Sequence, residues 1–184
     1  MTREEAVRLL KENIKNNNLI KHSLAVEAVM KDLARHFGED EEKWALSGLL
    51  HDVDYEKTKD DPSQHSLVGA KMLEGLLVDS EICRAIKVHN EMHGILPETL
   101  MEKALYAVDP LTGLIVASAL VLPSKKIADL QTDSVLNRFH EKAFARGANR
   151  EIISKCKDYL NLDLPEFFGI ALRSMQEIAQ DLGL

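Results

Sequence analysis

Two cysteines in 184 residues, Cys83 and Cys156, are too few and too far apart for a disulfide framework. Each falls in a helical pattern, so the sequence predicts two reduced core thiols and a cytoplasmic protein. Aromatic residues make up only 5% of the chain, which leaves Leu, Ala, Ile, Val and Met to fill the interior, the usual composition of a helical bundle. No Gly/Ser linker, repeat or low-complexity tract interrupts the chain. No apolar run reaches the roughly 20 residues that span a bilayer, since Leu111 to Leu122 stops short, and no membrane association is expected. Positive charge is in the minority: 23 Lys and Arg against 30 Asp and Glu leave a net charge of −7, and no basic stripe offsets it. That balance argues against a nucleic-acid partner, although a few local cations could still hold a nucleotide-sized anion.

What is present is helical periodicity. Hydrophobic residues at 45% of a chain this long suffice for one sizeable core, and the expected fold is an all-α, single-domain helical bundle over residues 1–184. Thr2 can cap a first helix with Ala6, Val7, Leu10 and Ile14 on one face, ended by Asn16, Asn17 and Asn18. A second helix over about Leu19 to Phe37 turns Val26, Val29, Met30 and Leu33 inward, with His22 on the same face. A third, opened by Glu39 to Glu42, runs to His51. The polar stretch from Asp54 to Pro62 reads as a surface loop. Helices follow over about Ser63 to Leu77, with His65 in the first turn, and over Ser80 to Asn90, with Asp79 as cap. A long apolar helix is predicted over Thr99 to Leu122, with Asp109 inside and Pro110 kinking it. Shorter helices cover the remainder: about Ile127 to Arg146, Asn149 to Asn161 and Pro165 to Leu184.

The stretch from Ala45 to Asp54, ALSGLLHDVD, is the centre of the pattern. An apolar helix that ends in His51 and Asp52 cannot bury those groups without partners, because an unpaired buried charge costs several kcal/mol. His22, His65, His89 and Asp109 all fall on segments with helical periodicity and can supply the partners. Bundles assemble metal sites in this way, from side chains on separate helices. The six residues are therefore expected to form one metal centre. Imidazole and carboxylate donors suit Mn, Fe, Co, Ni or Zn, with Mg possible, and the lack of thiolates argues against a structural zinc.

The order and contexts resemble the HD-domain phosphohydrolase superfamily: His22 in KHSLAVEAVM, His51-Asp52 in LSGLLHDVD and Asp109 in ALYAVDPLT, together covering about residues 19 to 122. His65 in HSLVG and His89 in IKVHNEMHG look like the additional ligands of members with two metals. His89-Asn90-Glu91 stands where the cyclic di-GMP phosphodiesterases of the HD-GYP type have His-His-Glu, and the Gly-Tyr-Pro signature is absent. The single-domain symmetrical dinucleoside-tetraphosphate hydrolases are closer. PSKKIADL and the later SVLNRFHEKAFARGANRE resemble HD hydrolases with no assigned substrate.

The resemblance implies a divalent-metal-dependent phosphohydrolase acting on a small phosphorylated metabolite or nucleotide through metal-activated water, with one or two ions per chain. Asp52 would bridge two ions, with His22, His51 and Asp109 completing one and His65 and His89 the other. His93 is the candidate to protonate the leaving oxygen. Lys125 and Lys126, with Arg146 and Arg150 behind them, are candidates to hold phosphate oxygens. The alternatives are a symmetrical dinucleoside-polyphosphate hydrolase and a non-catalytic metal- or nucleotide-sensing module. The expected assembly is a monomer or homodimer. The metal-site core would occupy about residues 19–122 and a C-terminal helical extension about 123–184.

Overall fold

The computed structural model describes residues 1–184 and is all-helical, as expected. Helix α1 (Arg3–Asn13) begins in a reciprocal capping box between Thr2 and Glu5. Helix α2 (Asn17–Phe37) starts two residues before the predicted boundary, because the Asn16 side chain accepts from the Asn18 amide. The asparagine run thus opens the second helix as much as it closes the first. Gly38, at φ 72°, stops α2 in the left-handed conformation that glycine adopts without steric cost. Asp40 caps α3 (Glu41–Leu50), which leads directly into His51 and Asp52.

Gly48 sets how closely α3 lies on α2. A Cβ there would stand 2.8 Å from the Val26 carbonyl oxygen, so only glycine lets the two backbones meet at this depth. This contact fixes His22 on α2 opposite His51 at the end of α3.

The segment after Asp52 departs from the sequence expectation. Asp54 to Pro62 contains a short helix, α4 (Tyr55–Thr58), and both Asp54 and Thr58 are buried. A 3-10 turn at Pro62–Gln64 follows, and His65 precedes α5 (Leu67–Gly75) instead of lying in its first turn. Between them Ser66 has φ 71°, a left-handed conformation unusual for a residue with a side chain. Helix α6 (Ser80–His89), capped by Asp79, ends on His89, and a second 3-10 turn covers Glu91–His93.

Helix α7 (Leu100–Leu120) carries Asp109 and Pro110 at mid-length. It packs against α2 and α6, and on other sides against α8 (Thr132–His140), α9 (Arg150–Ser154) and α10 (Cys156–Leu160). By length and composition α7 would reach across a bilayer, where the sequence predicted no such segment. Charged residues such as Lys103 and Asp109 break the apolar run in sequence, yet α7 as a whole is apolar on average. Here that apolar surface is the inner wall of the bundle. Helices α11 (Leu164–Glu177) and α12 (Ala179–Leu182) close the fold against α2. A cluster of 44 buried residues runs from Ala6 to Leu182, so the part after Ser124 packs on the same core as the His and Asp residues.

Candidate metal centre

Five separate segments deliver the six residues to one place. His22 comes from the inner face of α2, His51 and Asp52 from the end of α3, His65 from the turn before α5, His89 from the end of α6, and Asp109 from the middle of α7. His22 Nε2 lies 3.0 Å from Asp109 Oδ1 and 3.2 Å from His51 Nε2. The two carboxylate oxygens of Asp52 serve opposite sides. Oδ2 lies 3.4 Å from His51 Nε2 and 3.6 Å from His22 Nε2, while Oδ1 lies 3.2 Å from His65 Nε2 and 3.6 Å from His89 Nε2. Two sets of donors converge within 4.8 Å: His22, His51 and Asp109, and His51, Asp52 and His89. Asp109, with 32% of its side chain exposed, lies on the open side of the centre, whereas His51 is fully enclosed.

The far nitrogen of every ring is tied. His51 Nδ1 donates to the Gly48 carbonyl at 2.8 Å and His89 Nδ1 to the Ile86 carbonyl at 2.6 Å. The Thr112 hydroxyl donates to the Asp109 carbonyl at 2.9 Å, which leaves its oxygen to accept from His22 Nδ1 at 3.2 Å. His65 Nδ1 donates to Asp54 Oδ1 at 2.9 Å. Carbonyls and carboxylates only accept, so each Nδ1 carries a proton and Nε2 is the nitrogen that turns to the interior, where it can give up a proton and offer a lone pair to a cation. Four lone pairs facing two carboxylates repel unless protons or cations stand between them. A divalent cation fits this donor set, and tied Nδ1 atoms are the usual support for imidazole ligands.

The electrostatics agree. Burial opposes charge on His51, but Asp52 and Asp109 outweigh it and hold its pKa well above the ordinary value. Burial likewise opposes ionised Asp52, yet His51, His65 and His89 hold its carboxyl well below the usual range. Asp109 is pulled down in the same manner by His22 and His51 against its burial. Asp52 and Asp54 overcome the burial of His65 and raise it to about 9. In the metal-free protein, protons occupy the places that a cation would take.

The remaining candidates lie elsewhere. His93 Nε2 is 2.7 Å from the His65 carbonyl oxygen and 3.3 Å from Asn90 Nδ2, so it braces the segment behind His65 and does not face the carboxylates. Lys125 and Lys126 are exposed in the turn after α7. Eleven helical residues, about 16 Å at 1.5 Å per residue, separate Asp109 from the end of that helix. The Arg150 guanidinium is spent on backbone: the carbonyls of Phe139, Phe144, Ala145 and Ala148 accept from it and pin the 138–148 segment. Arg146, with Lys142, lines a cavity of about 690 Å³ that also includes Glu91, two residues beyond His89. A second cavity, of about 770 Å³, lies between α1, α2, α3 and α11, and contains none of the six residues.

Two supporting residues escaped the sequence reading. Thr112 carried a usable signal, since it follows Asp109 by three positions and therefore shares its helix face. Asp54 was masked by its neighbours, because DYEKTKDDP has the composition of a solvated loop.

The HD domain family matches residues 19–119, and the chain belongs to it. Ribonuclease Y of Lawsonia intracellularis is 29% identical over 138 residues, which is 73% of this chain and 26% of that protein. Ribonuclease Y of Oleidesulfovibrio alaskensis is 27% identical over 140 residues, 74% of this chain and 27% of that protein. An uncharacterized protein of Methanocaldococcus jannaschii is 31% identical over 150 residues, covering 76% of this chain and 85% of its own length. The chain thus spans about a quarter of these Ribonuclease Y proteins and most of the archaeal one. No solved structure matches it.

Proposed function

We propose that the protein is a divalent-metal-dependent phosphohydrolase acting on a small phosphorylated metabolite or nucleotide. The observation that carries this reading is the convergence of four Nε2 atoms on Asp52 and Asp109. Asp52 offers one oxygen to the His22 and His51 side and the other to the His65 and His89 side, the placement of a carboxylate shared between two ions. Mn, Fe, Co, Ni or Zn suits these donors, and Mg is compatible with the carboxylates. A cation held there lowers the pKa of water towards neutrality and offsets the negative charge of phosphate oxygens, which otherwise repel a nucleophile. His22, His51, His65, His89, Asp52 and Asp109 would hold it. Asp109, on the open side, is closest to entering substrate.

Lys142 and Arg146 are better candidates than Lys125 and Lys126 to hold a second anionic group, because Glu91, two residues beyond His89, lines the same cavity. A second reading, cleavage of phosphodiester bonds in RNA, is favoured by the Ribonuclease Y relatives. It is opposed by the net charge of −7 and by the absence of a basic stripe.

The test is a substrate panel with Mn(II). Nucleoside monophosphates yielding inorganic phosphate support the main reading. Diphosphate products from dinucleoside polyphosphates identify the symmetrical hydrolase, and shortening of an RNA oligonucleotide identifies the nuclease. Bound metal without turnover of any of these would leave the sensor. Asp52→Ala is expected to abolish both metal retention and turnover while far-UV circular dichroism stays helical. Turnover at the wild-type level in that variant, with contaminating phosphatase excluded, would overturn the assignment.

A further inference from the structure

We propose that Asp54 is a positioning residue that decides whether the His65 side of the centre retains its own ion, an inference that rests on the metal-dependent reading above. The four imidazoles are not supported alike. Those of His22, His51 and His89 give their Nδ1 protons to neutral oxygens, on Thr112, Gly48 and Ile86. His65 alone gives its proton to a carboxylate. An anionic acceptor makes the far nitrogen a stronger donor than a carbonyl does, so Asp54 strengthens the ligand that His65 offers beside Asp52.

The fold holds Asp54 firmly in this role. Its side chain is fully buried, and while Oδ1 accepts from His65, Oδ2 accepts from the Gly69 amide at 2.6 Å. Gly69 leaves room for this: a Cβ there would stand 3.1 Å from the Asp54 carboxyl carbon. Ser66, in its left-handed conformation, ties its hydroxyl to the Lys87 carbonyl at 3.0 Å and turns the chain between His65 and α5. The Tyr55 ring stands edge-on against His65, with centroids 5.3 Å apart, and covers its outer side. A buried carboxylate at this point costs desolvation, which the His65 proton and the Gly69 amide offset. One oxygen thereby caps the first turn of α5, where Ser66 offers no side-chain cap, and the other acts on His65.

The experiment is titration of chelated protein with Mn(II), read by calorimetry and by elemental analysis after gel filtration. Wild type is expected to take two ions per chain. Asp54→Asn is expected to keep one ion at unchanged affinity and to bind the other about 10- to 100-fold more weakly. Gly69→Ala approaches the carboxylate from the opposite side, and should weaken the same ion while circular dichroism stays helical. His65→Gln should remove that ion, and adding Asp54→Asn to it should change nothing further, because Asp54 acts through His65.

Several results would overturn the proposal: Asp54→Asn with both affinities unchanged, equal weakening of both ions, or a further loss in the double variant. A wild type that takes only one ion would overturn it too, and leave the metal-dependent reading standing. A wild type that takes none would remove that reading itself.

Discussion

His93 shows what a single position in sequence can and cannot convey. A histidine four residues after His89, in a segment that breaks a helix, is a candidate proton donor by position alone. Its Nε2 is instead committed to the His65 carbonyl. His93→Gln preserves a donor at similar reach, so kcat is expected to fall less than about tenfold with metal content unchanged. A general acid contributes on the order of 10²- to 10⁴-fold, so a loss in that range would restore His93 as the proton donor. His51, Asp52 and Asp109 were legible because each is a polar residue at an inward position of an apolar helix, a contradiction that only a partner resolves. Asp54 was not legible, because its contradiction exists only in three dimensions. In sequence it sits among Tyr55, Glu56, Lys57 and Lys59, and nothing there announces a fully buried carboxylate.

At the scale of helices, two caps, Thr2 and Asp79, were legible in sequence, and the structure adds Asp40 and Thr99. Thr2, Asp40, Asp79 and Thr99 each accept from the first turn of the helix that they begin, and local chemistry of this kind survives in sequence. The turn from Asp61 to Ser66 lacks such a signal. Its course depends on the His65 and Asp54 pair and on a left-handed Ser66, both set by distant contacts. Gly48 also reads as an ordinary helical glycine until α2 is placed against it. Gly48→Ala would drive a methyl into the Val26 backbone, which cannot yield as a flexible side chain can. Overpacking of this kind costs about 1–3 kcal/mol, and it would separate His22 from His51. Denaturant unfolding should show the loss of stability, and metal titration a weaker ion on the Asp109 side. Unchanged stability would mean that α2 and α3 can slide apart freely. The 141–149 segment makes a contrasting prediction: Arg146→Ala should raise KM several-fold with metal content unchanged, whereas alanine at Lys125 or Lys126 should alter neither.

For the whole molecule, metal, protons and folding are linked through the same six residues. His65 is raised to about 9 in the folded, metal-free protein, against an unfolded value of about 6.5. Its contribution to stability is therefore complete below about pH 6.5 and is lost as pH rises through 9. His51, also raised, acts in the same direction. Asp52 and Asp109 are depressed, so their contribution is present above about pH 4 and is lost only on acidification. Chelated protein should accordingly lose thermal stability between pH 6.5 and 9. The loaded protein should behave oppositely over the lower part of that range, because a cation competes with protons for the Nε2 atoms and wins more easily as pH rises. Binding to the folded state alone stabilises by about 2.7 kcal/mol at one hundred times Kd, or roughly 5–10 °C in Tm for a domain near this size. The difference in Tm between Mn(II)-loaded and EDTA-treated protein should therefore widen from pH 6 to pH 8.5, read by differential scanning fluorimetry at fixed free metal. A difference that is flat or shrinks with rising pH would mean that the protons on these imidazoles are not what the metal displaces.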